Sequence, residues 1–188
     1  MIASGSPIES LPTTLKTVVE FEQWERQHLH EGGYEFVRGR IIEKNEMKQA
    51  EYLILKFLTR LFAKTAAYEK GGELTPEMDS YVDNERKRRP DLAYFTLNQI
   101  LETGSGIRQS TQFAIEILSD SESHQDVLDK IQDYFDGGAQ LVWYIVPKQQ
   151  KIYVYSSPDE LKVYKRADFI SAAPVLPDFQ FVVADLFG

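Results

Sequence analysis

Glu116 stands inside an apolar run, Gln112-Phe113-Ala114-Ile115-Glu116-Ile117-Leu118, and no other charge interrupts it. Strand alternation puts Phe113, Ile115 and Ile117 on one face and Ala114, Glu116 and Leu118 on the other, so the run reads as a strand covered on both sides. An ionised carboxylate in such a place is costly unless a cation, a metal or several donors compensate it. The chain must therefore fold so as to bring a partner to Glu116. Leu92-Ala93-Tyr94-Phe95, entered through Pro90-Asp91, poses the same problem again. Two such strands in succession point to one shared polar site. The plainer alternatives are a turn or strand-entry role for Asp91 and, for Glu116, a carboxylate satisfied by an arginine or by backbone donors.

The segment after Glu116 offers a candidate partner. Residues 123–135 read as a helix that Ser121 or Ser123 can cap and that Gly137-Gly138 closes. At 100° per residue Val127, Leu128, Ile131, Tyr134 and Phe135 form an apolar stripe, with Lys130 at its edge beside Tyr134. Lys130 can project toward the carboxylates while its stem packs on apolar surface. Asp126, four residues earlier, supplies the competing reading of a surface ion pair of little worth. Residues 141–146 form a continuously apolar strand, so strand, helix and strand make a βαβ-like unit.

The remaining chain fits a mixed α/β domain. Residues 1–16 read as a flexible leader and 17–188 as a single domain, because 188 residues at 43% hydrophobic content can bury one substantial core. Val18, Phe21, Trp24 and Leu29 mark an amphipathic helix stopped by Gly32-Gly33, and residues 34–43 mark a hairpin turning at Arg38-Gly39. Residues 47–68 carry Leu53, Ile54, Phe57, Leu58, Leu61 and Phe62 at helical spacing and predict one long helix. Short strands are expected at 73–75 and 78–82, a charged turn at 83–89, a short helix at 97–101, a hairpin over 151–164, and an apolar tail from 177 docking on the core.

No run approaches the roughly 18 apolar residues of a membrane span, the first residues lack a secretory pattern, and there is no cysteine. A cytoplasmic protein without disulfides or zinc-thiolate sites is expected. A net charge of -8 and a pI near 5.0 exclude a protein that coats nucleic acid by electrostatics alone. They leave room for an enzyme whose carboxylates hold a divalent cation. Hard carboxylate oxygens and a lysine are what metal-assisted phosphodiester hydrolysis requires.

Pro90-Asp91, Ile115-Glu116-Ile117-Leu118-Ser119, Lys130 with Tyr134 four residues on, Gly137-Gly138 and the strand around Trp143 occur in that order. So do Tyr34-Glu35-Phe36-Val37-Arg38-Gly39 near the start and Val183-Ala184-Asp185-Leu186-Phe187 at the end. This set resembles the Uma-type restriction endonucleases of the PD-(D/E)XK nuclease-like superfamily, over nearly the whole chain. The resemblance implies a restriction-endonuclease-like mixed β-sheet flanked by helices, and a Mg²⁺-dependent (or Mn²⁺-dependent) endonuclease acting on DNA. Asp91, Glu116 and the carbonyl of Ile117 would be metal ligands, Glu35 an additional acidic residue, and Lys130 a migrated catalytic lysine. Leu118 stands where the superfamily places its lysine, and no histidine opens the long helix around Lys48-Gln49-Ala50-Glu51.

Arg86, Lys87, Arg88 and Arg89 either meet phosphates beside the metal or form a solvated turn. His28, His30 and His124 show no metal spacing. The competing expectation is a non-catalytic interaction or regulatory module that keeps the fold; RNA or another phosphodiester is a further substrate alternative. A homodimer is the simplest route to cutting two strands.

Overall fold

The computed structural model describes residues 11–28, 33–44, 48–118 and 122–188. Residues 1–10 of the expected leader lie outside them, as do Leu29, His30, Gly32, Met47, Ser119 and Ser121. In chain order the protein runs α1 (Val18–Glu25), β1 (Tyr34–Val37), β2 (Arg40–Glu43), α2 (Gln49–Phe62), α3 (Ala66–Glu69), β3 (Glu73–Pro76), β4 (Ser80–Tyr81), β5 (Arg86–Arg88) and β6 (Leu92–Phe95). Then follow α4 (Leu97–Gly104), β7 (Phe113–Ile117), α5 (His124–Asp136), β8 (Leu141–Val146), β9 (Lys151–Ser157), β10 (Glu160–Lys165), β11 (Phe169–Ala172), β12 (Leu176–Val182) and α6 (Val183–Phe187).

The larger sheet has the order β10-β9-β8-β7-β6-β3. Within it β7 and β8 are parallel and α5 is their crossover, as the apolar pattern predicts. Phe113, Ile115 and Ile117 pack with Leu141, Trp143 and Ile145 on α2, β11, β12 and α6. Trp143 and Phe179 pack there with their rings tilted by 30° and 5.7 Å between ring centres. The opposite face presents Ala114, Val142 and Tyr144 to Ile131 and Tyr134 of α5. Glu116 belongs to this second face, level with Tyr144 of β8. β6 runs antiparallel to β7 with Leu92 opposite Ile115, so one further step of the ladder brings Asp91 level with Glu116.

The second sheet, β2-β1-β5-β4, lies on the other side of α5. Its first hairpin is as predicted, with Val37 opposite Arg40. Arg38 and Gly39 form its turn, both at positive φ (47° and 82°), which suits the twist of a two-residue hairpin loop. Tyr34 and Phe36 join Val18 and Phe21 of α1 in a small core against which Leu11 and Leu15, from the expected leader, also pack. Glu35, between Tyr34 and Phe36, necessarily faces the other way.

Two expectations are corrected. The charged turn at 83–89 contains a strand, β5, paired to both β1 and β4. The helix expected over 47–68 is two helices, because Thr65 caps the second by accepting from the Tyr68 N–H while its hydroxyl donates to the Phe62 carbonyl. The tail ends, as expected, on an apolar stretch that docks on the core through Val183 and Leu186, after β12 has paired with β11.

α5 starts with a capping box, in which Ser123 Oγ accepts from the Asp126 N–H at 3.2 Å and Asp126 accepts from the Ser123 N–H at 3.2 Å. Ser123→Ala is expected to cost about 1 kcal/mol in urea unfolding, with the midpoint shifted and the slope unchanged.

Candidate active site

Asp91 and Glu116 meet at the end of the β6–β7 ladder. Asp91 Oδ2 accepts the Ile117 N–H at 2.7 Å, which fixes the carboxylate against the strand that carries Glu116. Asp91 Oδ1 accepts from Lys44 Nζ at 2.9 Å, and that ammonium also donates to the Arg89 carbonyl at 2.5 Å. Lys44 follows directly on β2, so the second sheet delivers it.

Glu116 is 1% exposed and receives both its partners from α5. Lys130 and Tyr134 are four residues apart and share one helix face. Tyr134 donates its hydroxyl to Glu116 Oε1, and Lys130 Nζ lies 3.5 Å from Glu116 Oε2. Lys130 also donates to Glu122 Oε1 at 2.8 Å, and Tyr144 donates to the same oxygen at 2.9 Å. The surface pairing of Lys130 with Asp126 is not formed; Asp126 serves the helix cap instead.

Glu35, also 1% exposed, faces α5 from β1. Its Oε2 accepts from Arg88 at 2.9 Å and its Oε1 from the Arg89 N–H at 3.0 Å. Arg88 reaches on to Asp133 of α5 at 2.6 Å, and Arg86 ties to Asp83, Asp136 and Asp133. Lys87 points to the opposite face of β5, fully buried between Glu25 and Asp79, each at 2.9 Å, and 4.8 Å from the Phe21 ring centre. Arg89 holds Asp79 at 2.7 Å. The four cations are thus neither a solvated turn nor a row aimed at phosphates. Strand alternation inside a two-layered fold sends Arg86 and Arg88 to α5 and Lys87 to α1, where carboxylates meet them.

The electrostatics separate the two buried glutamates. Burial pushes the Glu35 carboxyl up, but Lys130, Arg88, Lys44 and the Arg89 N–H outweigh it and hold it at about 2. For Glu116 burial prevails: against the pull of Lys130 and Lys44, and with Asp91 and Glu35 adding to the rise, its carboxyl sits at about 7. Both lysines are raised, because their neighbouring carboxylates outweigh the burial that would lower them. Lys130 is therefore a fixed cation rather than a neutral base.

A pH dependence follows. Glu116 binds its proton more tightly folded than unfolded, so its contribution to stability is fully present below about 4.5 and is lost as pH rises through about 7. Glu35 behaves oppositely: its contribution is present above about 4.5 and lost as pH falls toward about 2. Urea unfolding of the wild type and of Glu116→Gln, compared from pH 4.5 to 8 without divalent cations, should show wild-type stability falling relative to the variant as pH rises. A flat difference would remove the buried-carboxyl assignment.

All four of the expected site side chains, Glu35, Asp91, Glu116 and Lys130, thus act within one buried electrostatic cluster. Sequence reasoning assigns no functional role to Lys44, Glu122 or Tyr144, and it places Tyr134 in an apolar stripe. Its place four residues after Lys130 was the available signal for Tyr134; Lys44, a single charge after a hairpin, carried none. Among the described residues no three His, Cys, Asp or Glu side chains come together as a metal-binding group. The candidate ligand set is accordingly the pair Asp91 and Glu116, with the Ile117 carbonyl beside them. Glu35 is committed to Arg88.

A family model for Uma2, described as "Putative restriction endonuclease", matches residues 18–184. Among solved structures the chain is similar to a "putative nuclease belonging to DUF820" from Anabaena variabilis ATCC 29413. The identity is 20%, the TM-score 0.75, and 88% of this chain and 96% of that chain are covered. At that identity the likeness speaks for the fold alone. No curated protein matches the chain.

Proposed function

The chain belongs to the Uma2 restriction-endonuclease family, which with its nuclease fold supports a nuclease function, and on that premise we propose a Mg²⁺- or Mn²⁺-dependent endonuclease that hydrolyses DNA phosphodiester bonds. The observation that carries the metal dependence is an imbalance of charge. Around Asp91 and Glu116, Glu122 makes a third carboxylate, set against the ammonium groups of Lys44 and Lys130, while Arg88 holds Glu35 and Arg86 helps to hold Asp133. One carboxylate is left without a cation of its own, and burial, with Asp91 and Glu35 adding to the rise, leaves the Glu116 carboxyl at about 7. Two carboxylates and a main-chain carbonyl suit a small, hard divalent cation that keeps several waters.

When bound, such a cation would supply Lewis-acid polarisation of the phosphodiester and activation of the attacking water. The chain's own residues do the rest. The Ile117 N–H turns Asp91 toward the pair, the Tyr134 hydroxyl fixes Glu116, and Lys130 offers a permanent positive charge for the phosphate oxygens as charge develops on them. Its arrival at Glu116 from α5 supports a displaced lysine compensating for Leu118, and it weighs against a module that merely keeps the fold. Glu35 assists by holding Arg88 and, through it, α5. Two such sites in a homodimer would cut both strands.

The test is nicking of supercoiled plasmid at low salt, with Mg²⁺ or Mn²⁺ supplied or chelated, and with an RNA of matched length in parallel. Cation-dependent nicking of DNA is expected. Lys130→Met should lower the rate on the order of 10²-fold while the affinity for Mn²⁺ stays within a few-fold. No nicking under any divalent cation would overturn the reading.

A further inference from the structure

We propose that Lys44 is a built-in competitor for the divalent cation, its ammonium already holding one oxygen of Asp91, the carboxylate that the cation would share. The inference rests on the metal reading above and adds to it the residue that sets the affinity. The two oxygens of Asp91 are not equivalent. Oδ2 is bound by the Ile117 N–H at 2.7 Å, a contact built into the meeting of two paired strands. Oδ1 faces Lys44 Nζ at 2.9 Å. An ion that approaches Asp91 while the strand contact holds finds in Oδ1 the oxygen without a main-chain partner, and there it meets a positive charge already in hydrogen-bond contact.

Lys44 is well anchored for this purpose. It follows β2, whose register with β1 is fixed up to Glu43 opposite Tyr34, and its own N–H donates to the Gly33 carbonyl at 3.1 Å. Its side chain is only 11% exposed, and its ammonium makes a second donation to the Arg89 carbonyl. That carbonyl gives the ammonium a place to remain when Oδ1 is taken, so displacement does not require the side chain to leave. Lys130 is not equivalent: it sits 3.5 Å from Glu116 and spends its shorter contact, 2.8 Å, on Glu122, outside the ligand pair. Lys44 touches a proposed ligand directly, from a different sheet, and neutralises it in place of a metal.

A purely structural lysine and a competing lysine differ in the sign of their effect on metal affinity. Titration of MnCl₂ into the full chain by calorimetry is the test, with wild type, Lys44→Met and Lys44→Arg. Lys44→Met should bind Mn²⁺ at least tenfold more tightly than wild type, and Lys44→Arg, which keeps the charge, should stay near the wild-type value. Equal or weaker binding by Lys44→Met, with wild type still binding, overturns the competitor role and leaves the metal site standing. No Mn²⁺ bound by wild type or Lys44→Met overturns both. Should Lys44→Met not fold, amine-selective acetylation of the wild type decides: Lys44 should label several-fold faster with saturating Mn²⁺ than without, and an unchanged rate rejects the proposal.

Discussion

Glu116→Gln is expected to abolish calorimetric binding of Mn²⁺ and to lower plasmid nicking by about 10³-fold or more, while the protein stays folded and at neutral pH becomes no less stable. The loss of rate follows from removing a ligand for the group that would supply several kcal/mol of charge stabilisation in the transition state. The retained stability follows from the environment. A carboxyl at about 7 is held near its ionisation midpoint by burial, so the protein is already straining to keep it charged. Glutamine fills the same volume, accepts the Tyr134 hydroxyl at its carbonyl oxygen, and leaves Lys130 its contact with Glu122. A residue that costs stability and yet sits at the centre of a donor cluster is placed for chemistry rather than for folding. If Glu116→Gln binds Mn²⁺ like the wild type, Glu116 is not a ligand. If the variant unfolds, its role is structural after all.

How far the sequence foretells this site depends on whether the relevant contacts are local. Glu116 in an apolar strand was legible because strand alternation and the cost of a buried carboxylate need only the neighbouring residues. Lys130 was legible as a candidate because the crossover helix of a βαβ unit must pack on the strand before it. β5 was not. Arg86, Lys87 and Arg88 read as surface by composition, and apart from Asp79 and Asp83 the carboxylates that make it possible to bury all three, Glu25, Glu35, Asp133 and Asp136, lie far away in the chain. Lys44 was invisible for the same reason: its partner Asp91 is 47 residues away. The ion pairs that define the site join different elements of the fold, and periodicity within one segment carries no information about them.

Arg88→Met should destabilise the protein by about 3–5 kcal/mol, a large part of the roughly 5–15 kcal/mol that holds a domain of this kind together. Arg88 bridges Glu35 on β1 and Asp133 on α5, with contacts of 2.9 and 2.6 Å and 4% side-chain exposure. Removing it leaves two buried carboxylates with unequal prospects. Asp133 keeps Arg86, whereas Glu35 keeps only the Arg89 N–H as a direct partner among the contacts described, with Lys130 and Lys44 acting at longer range. The cost should therefore fall mostly on Glu35, and Arg88→Met combined with Glu35→Gln should recover a substantial part of it, while Arg88→Met combined with Asp133→Asn recovers less. Lysine is no substitute, since one ammonium cannot span two carboxylates as a guanidinium fork does. Urea unfolding of this set measures the order directly, and a loss below about 1 kcal/mol for Arg88→Met would mean that the bridge contributes no more than an exposed ion pair. The same bridge carries the site: it joins the sheet that delivers Lys44 to the helix that delivers Lys130 and Tyr134. Arg88→Met should accordingly weaken Mn²⁺ binding and nicking in the protein that remains folded, and Arg88→Met with Glu35→Gln should restore stability more fully than activity.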